Sequence, residues 1–380
     1  MINQSNTENT IGVAVDVGST SIAVCCVDLC HKIEILSFSF SNPQSVYGTD
    51  VITRIQHCLT DEQKFREMRT LVEKMLDEKL KERLGQLYYN IAEIVYSGNT
   101  TMLHILRGLS VKGLATAPFC PVNIEYEQIK VAEFKEHNLI ENGNENLTHI
   151  YLPGISAFVG ADILGAVQYL QMGKSDTFEL LIDLGTNGEL LLLNKEKGYA
   201  TSTACGPVFD HAVSGARYGS ESITAIANCV KRGLIDSSGR LMDAFFEKGI
   251  SIDENFTIKQ ENIRNFQLAK GAIYAGIQCL LKKAGIHVDE VQKVYISGGL
   301  GFYMNQRDAF TLKMLPDEFK NKIIVSGNTS LEGAKQILIL KPNEKIQLLR
   351  EYTNIRKRTE CFELANVNGF QECYMNSLDF

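Results

Sequence analysis

The chain has 380 residues, about two domains' worth at roughly 100–200 residues each, and 44% hydrophobic content, enough for sizeable cores. A formal charge of −7 without a basic stripe argues against a general nucleic-acid surface, and no apolar run reaches the ~18 residues of a membrane span. Ten cysteines scattered through apolar segments, behind a polar start (MINQSNTENT) unlike a signal peptide, read as a reduced, cytoplasmic protein without a disulfide framework.

Residues 1–10 read as a disordered tail. Ile11–Asp28, IGVAVDVGSTSIAVCCVD, is an apolar run carrying Asp16, a bend at Gly18-Ser19-Thr20 and a second apolar run, which predicts a β-hairpin. His31–Phe40 supplies a third strand. Asn42-Pro43-Gln44 is a break, followed by a helix to about Cys58. Asp50 and Arg54, at i and i+4, are either a helix-surface pair or residues facing a cleft. Residues 61–85 form a charged amphipathic helix. Ile91–Ser97 is a buried strand, and Gly98-Asn99-Thr100-Thr101-Met102 opens a helix whose threonine hydroxyls serve as caps or as ligand groups. Ala117–Pro121 is an extended connector, and the charged, Asn-rich residues 125–150 form a surface insertion. Ser156–Met172 is an apolar helix with Gly160, Ala161 and Gly165 and one acid, Asp162, placed to cross to a second half.

That half repeats the grammar of the first. Glu179–Asn194, ELLIDLGTNGELLLLN, is again strand, Asp183, a bend at Gly185-Thr186-Asn187-Gly188, and strand. Such a bend is by default an ordinary hairpin. Its glycines also let backbone N–H groups approach an anion, Thr186 and Asn187 add side-chain donors, and Asp183 is within reach of a magnesium ion on that anion. A second echo follows each hairpin: Val95-Tyr96-Ser97-Gly98 is answered by Val294-Tyr295-Ile296-Ser297-Gly298. Duplication fixes architecture, so two similar α/β halves predict a cleft holding a phosphate chain from both sides.

After the second hairpin, Gly206-Pro207 is a turn with Asp210 and His211 just beyond it. His211 is a structural histidine or a general base, Asp210 a cleft acid, and Cys205 a buried thiol. A helix begins at Ser220, a hairpin lies near 235–260, and a long helix over Leu268–Ala284 feeds the strand Val294–Ile296. The turn Ser297-Gly298-Gly299-Leu300-Gly301-Phe302 lacks the G-x-G-x-x-G spacing of a Rossmann site and instead suits a nucleoside lying against backbone. Ile323–Val325 is a strand, Ser330–Ala334 starts a closing helix, and residues 341–380 are charged, with a strand-like piece around Phe362–Ala365.

Asp16-Val-Gly-Ser-Thr20, Asp183-Leu-Gly-Thr-Asn-Gly-Glu189 and Ser297-Gly-Gly-Leu-Gly301 resemble the two phosphate motifs and the adenosine motif of the actin/sugar-kinase/heat-shock (ASKHA) ATPase superfamily. More narrowly, Asn42-Pro43-Gln44 with Tyr47–Ile55, Ser97–Met102, Ala117-Pro118-Phe119, Gly160-Ala161-Asp162 and Gly327–Ala334 resemble the ATPase region of reductive activators of corrinoid proteins. The resemblance implies a duplicated ribonuclease-H-like α/β fold. A first actin-like lobe would span 11–155, a second 156–340, and a C-terminal extension 341–380. It implies ATP and Mg2+ as cofactors, with Asp16 and Asp183 positioning the metal. Gly18, Ser19, Thr20, Gly185, Thr186, Asn187 and Gly188 would hold the phosphates, while Gly206, Gly298, Gly299 and Gly301 would receive the rest of the nucleotide. Glu189 or Asp210 would orient the attacking water, Glu189 being preferred.

Such activators use ATP to drive electron transfer onto the cob(II)alamin of a corrinoid protein, with a ferredoxin module as donor. Here no C-x2-C pair or C-x4-C-x2-C spacing occurs, so no iron–sulfur cluster is expected within this sequence. The expectation is a homodimeric ATPase acting on a corrinoid or other redox metalloprotein, with electrons from a separate ferredoxin-like donor and no nucleic-acid or membrane partner. A small-molecule kinase of the same superfamily and a nucleotide-dependent regulatory or structural protein are the alternatives.

Overall fold

The computed structural model describes residues 11–133, 143–185, 187–203 and 219–380. The expectations placed on residues 1–10, Thr186, Cys205, Gly206, Asp210 and His211 lie outside the described residues. The chain falls into two compact units, Met1–Gln171 with Thr329–Lys357, and Met172–Asn328 with Arg358–Phe380.

In the first unit, β1 (Ile11–Val17), β2 (Ser21–Asp28), β3 (Ile33–Ser41), β4 (Ile91–Gly98), β5 (Glu127–Lys130) and β6 (Thr148–Tyr151) form one sheet in the order β3-β2-β1-β4-β6-β5. The strand β1 is apolar at every position but Asp16 and buried throughout except there, as a central strand covered on both faces must be. Strands β1, β2 and β3 run as an antiparallel meander, while β4 lies parallel to β1 and β6 parallel to β4. A parallel partner needs a crossover, here the helices Val51–Thr60 and Glu62–Leu84 between β3 and β4. Asp61 starts the second of these by accepting from Gln63 and Lys64 N–H, and Gly85 at φ +55° ends it.

The second unit repeats the scheme. Strands β7 (Phe178–Leu184), β8 (Gly188–Leu193), β9 (Gly198–Thr203), a small two-stranded sheet of β10 (Ile250–Ser251) and β11 (Thr257–Ile258), β12 (Val291–Ser297), β13 (Ile323–Gly327) and β14 (Thr359–Cys361) follow in order. The main sheet runs β13-β12-β7-β8-β9-β14. Its antiparallel β7-β8-β9, with β12 parallel to β7 and β13 parallel to β12, matches β1-β2-β3, β4 and β6 strand for strand. The expected duplicated α/β fold is therefore present. The core of this unit is filled by β7, β8 and β12 side chains against the helices Gly219–Lys231 and Gln260–Ala284.

Several local expectations need correction. The surface insertion at 125–150 contains two sheet strands, β5 and β6, and β6 is buried at all four positions. The glycine turn at 298–301 is the start of a helix, Gly298–Tyr303. The cap of the helix Thr100–Arg107 is Asn99, which accepts from Met102 N–H; Thr100 donates to the Ser156 carbonyl. The late strand is Thr359–Cys361 instead of the residues around Phe362–Ala365. The helix predicted over Ser156–Met172 is Ala161–Leu170 in the first unit, where it packs on the helix Thr329–Ile339. A Cβ on Gly333 would stand 2.3 Å from the Gly165 carbonyl oxygen, so these two glycines set the approach of the helices.

Candidate nucleotide site

The bend between β1 and β2 is held from behind. The Asn42 side-chain amide donates to the Gly18 carbonyl (2.7 Å), Arg54 donates to the Ser19 carbonyl (2.6 Å), and Asn42 N–H donates to the Thr20 carbonyl (2.8 Å). A trans peptide points its N–H opposite to its C=O. Tethering the Gly18 and Ser19 carbonyls on one side therefore turns the Ser19 and Thr20 N–H groups to the other. Oxygens that would repel an anion are turned away, and dipoles that attract one are presented. Gly18 itself donates to the Ser21 carbonyl, and a Cβ there would meet that oxygen at 2.7 Å.

Arg54 is fully buried, and the Asp50–Arg54 surface pair expected from their spacing does not form. Asp50 spends its carboxylate on Thr53 N–H and hydroxyl, capping its own helix. The Arg54 guanidinium reaches the Gly48 carbonyl as well as Ser19. Burial pushes its pKa down to about 10, with Asp50 pulling it back up, so it stays charged at neutral pH. A buried cation thus lies directly behind the bend.

The aspartates occupy equivalent places in the two units. Asp16 pairs in register with Ser97 of β4, and Asp183 with Ser297 of β12. Ser297 donates to Asp183 at 2.6 Å. Asp16 instead accepts from Ser330 at 2.7 Å, and that hydroxyl lies 2.9 Å from Ser97 Oγ. The glycine after each strand serine lies against the hairpin strand. A Cβ on Gly98 (φ +141°) would fall 2.5 Å from the Val17 carbonyl oxygen, and one on Gly298 (φ +81°) 2.6 Å from that of Leu184. The sequence echo is thus a repeated contact, an acid-bearing strand clasped by a Ser-Gly strand end.

The repeat differs in one respect that bears on chemistry. Residues in register across strands share a sheet face. Across the second sheet the row is Ser297, Asp183, Glu189, Ser202; across the first it is Ser97, Asp16, Ala23, Ser39. A second carboxylate, Glu189, therefore stands beside the aspartate in one unit only, and it is buried. In the second bend, Gly185 donates to the Asn187 carbonyl, and Thr203 donates to the Gly188 carbonyl. Of the three glycines expected to take adenosine, Gly298 is pressed on Leu184 and Gly301 on Ile296, while Gly299 has nothing within 4 Å of a built Cβ.

These residues fit Mg–ATP. Among the described residues no three His, Cys, Asp or Glu side chains converge as a metal cage. Magnesium is ordinarily held by one or two carboxylates together with phosphate and water, and each unit by itself offers one aspartate oriented by a serine hydroxyl. Sequence reasoning missed the supporting residues Asn42, Ser97, Ser297 and Ser330 as site residues, and left Arg54 open between a surface pair and a cleft residue. The two strand serines were visible in the echo, and the others lie inside the stretches that carried the family resemblance.

Residues 11–175 match the family model of the RACo middle region, and residues 177–217 and 210–380 match that of the C-terminal domain of RACo, the ASKHA domain. The chain is similar to the corrinoid activation enzyme RamQ of Eubacterium limosum, at 27% identity over 427 residues, covering 97% of this chain and 70% of that protein. It is similar also to the Co(II) methylated amine-specific corrinoid protein reductase of Methanosarcina barkeri, at 21% identity over 97% of this chain and 77% of that protein. Among solved structures, a reductive activator for a corrinoid, iron–sulfur protein matches with a TM-score of 0.83 at 25% identity, over 99% of this chain and 67% of that one.

Proposed function

This chain belongs to the family that carries the RACo middle region and the C-terminal ASKHA domain, and from that premise we propose that it binds and hydrolyses Mg–ATP to drive reductive activation of a corrinoid, or another redox metallo-, protein. The observation that carries the nucleotide half of this reading is the repeated clasp: Asp16 with Ser97 and Asp183 with Ser297, each aspartate on the strand that runs into a glycine bend. The corrinoid half rests on the likeness to RamQ, to the Co(II) methylated amine-specific corrinoid protein reductase and to the solved reductive activator.

In this reading the Gly18–Thr20 and Gly185–Gly188 bends donate N–H groups to phosphate oxygens, with Thr186 and Asn187 adding side-chain donors. Asp16 and Asp183, their carboxylates oriented by Ser330 and Ser297, would hold the magnesium ion through its water shell. Gly299 offers the open backbone for adenosine, and Gly206, Gly298 and Gly301 are the other glycines proposed to receive the nucleotide. Glu189 orients the attacking water, because the repeat places a second carboxylate only there, Ala23 being its counterpart. Bound Mg–ATP supplies the free energy of phosphoryl transfer to water, which an unfavourable Co(II)-to-Co(I) reduction lacks. The electron comes from a separate ferredoxin-like donor in the cytoplasm, and the working form is a homodimer.

The test is ATP turnover by the purified chain with and without a reduced ferredoxin and a cob(II)alamin-bearing corrinoid protein, while cob(I)alamin is followed optically. Stimulated turnover with cob(I)alamin formation is expected. Asp16→Asn and Asp183→Asn should each reduce both signals by roughly 10²-fold, as loss of a charged group at a phosphoryl-transfer site does. Tight ATP binding with neither stimulation nor cobalt reduction would overturn the activator reading.

A further inference from the structure

Ser330 is 314 residues from Asp16 in sequence, yet its hydroxyl donates to Asp16 Oδ1 at 2.7 Å and lies 2.9 Å from Ser97 Oγ. Ser97 is fully buried and Ser330 5% exposed, so water does not compete for these bonds. Ser330 is the second residue of the helix Thr329–Ile339, whose first turn carries unsatisfied N–H groups and a partial positive charge. The carboxylate of Asp16 thus meets a hydroxyl donor and the positive end of a helix together. The position of that end is fixed independently of Asp16. Gly333, one turn on, sits against the Gly165 carbonyl, and a Cβ on Gly165 would fall 3.3 Å from the Ser330 carbonyl oxygen. In the second unit Asp183 accepts from Ser297, on the neighbouring strand. Ser330 is also the second residue after the chain re-enters the first unit at Thr329.

We propose that Ser330 is a positioning residue for Asp16, fixing the carboxylate rotamer through which the first unit meets the metal of Mg–ATP. The role rests on the nucleotide reading above. Without the hydroxyl, Asp16 loses one of the bonds that define its rotamer, and the geometry offered to a metal's water shell is no longer set in advance. The consequence falls on the metal-dependent part of binding and not on ATP as such.

The experiment is calorimetric titration of ATP into the full 380-residue chain, in excess Mg2+ and again in EDTA, for wild type, Ser330→Ala, Ser97→Ala, Asp16→Asn and the Asp16→Asn/Ser330→Ala double variant. The readout is the ratio of the two dissociation constants within each variant, which a smaller folded fraction does not imitate. For Ser330→Ala the gain in affinity from Mg2+ should shrink by roughly 10-fold, the size of one hydrogen bond to a charged group, while binding in EDTA stays within about twofold. Ser97→Ala should act in the same direction and less, and Ser330→Ala should add nothing in the Asp16→Asn background. An unchanged ratio in Ser330→Ala, equal weakening with and without Mg2+, or full additivity with Asp16→Asn would each overturn the proposal. A wild-type chain that does not bind Mg–ATP would instead remove the nucleotide reading itself.

Discussion

Arg54 gives up all contact with water to stand behind the first bend, and the consequences of removing it follow from its partners. Arg54→Ala leaves the Ser19 and Gly48 carbonyls without their donor in a buried setting. At about 1–3 kcal/mol for each of the two stranded groups, a loss of about 2–6 kcal/mol is expected, visible as a lower melting temperature. Freed from its tether, the Ser19 carbonyl can turn toward the anion, so Mg–ATP affinity should fall by roughly 10-fold at a temperature where the variant is still folded. Arg54→Lys keeps a charge but not the planar fork that serves two carbonyls, and should lie between. A variant with wild-type affinity would show that the tether is irrelevant to the ligand. Spacing alone suggested the wrong partner for Arg54, since i, i+4 charge pairs are common on helix surfaces. What decided against the pair was the local cap, which consumes the Asp50 carboxylate. Glu189 is the converse case, a residue already preferred from sequence for orienting water, whose counterpart in the first unit is Ala23. Glu189→Gln should cut partner-stimulated turnover by roughly 10²-fold while ATP affinity moves less than about twofold, because orienting a water is needed in the transition state and not for binding.

At the level of elements, the clasp between a hairpin strand and a Ser-Gly strand end makes separable demands on its glycines. Gly98→Ala and Gly298→Ala each place a side chain at positive φ and against a carbonyl oxygen nearer than 3 Å. The backbone term alone is about 1–2 kcal/mol, and the clash adds to it, so both variants should melt well below wild type. Gly299→Ala meets open space and helical backbone, and should raise stability by about 0.5–1 kcal/mol. If adenosine lies against Gly299, the same substitution weakens ATP binding; unchanged binding would move adenosine elsewhere. The hairpins and their echo were legible from sequence because continuous apolar runs ending in glycine bends have few other solutions. The helix at 298–303 was not. Its three glycines cost a helix about 1 kcal/mol each, which favours a turn by propensity, but packing against Leu184 and Ile296 leaves no room for a side chain at Gly298 and Gly301 and prevails. Strands β5 and β6 escaped for the opposite reason. They are four residues each, flanked by charged and Asn-rich sequence, and they owe their state to pairing with β4 and each other instead of to their own pattern.

For the molecule as a whole the open quantity is the electron. Among the described residues no helix is long and apolar enough to cross a membrane, and the chain spans 70% of RamQ and 67% of the solved reductive activator. An iron–sulfur centre needs thiolates at close spacing. Burial opposes that in the adjacent pair Cys25 and Cys26, pushing both thiols up to about 12, with Glu34 among the contributors at each. Cys58 and Cys279 are likewise pushed up to about 11, chiefly by burial. Of the exposed thiols, Cys120 and Cys361 are each alone in sequence and lie in different units, while Cys30 stands at C-x4-C from the buried Cys25 but is followed by Ile33 where the third cysteine of a ferredoxin spacing would fall. No three of them have the spacing of a ferredoxin module. Cobalt reduction by this 380-residue chain should therefore depend wholly on an added ferredoxin. With Mg–ATP, cob(II)alamin protein and dithionite but no ferredoxin, cob(I)alamin should form no faster than without the chain, and adding ferredoxin should restore an ATP-dependent rate. Reconstitution of the chain with iron and sulfide should leave that dependence unchanged. A ferredoxin-independent rate that appears only after reconstitution would place an electron carrier within these residues, and the separation between ATPase and electron donor argued here would be wrong.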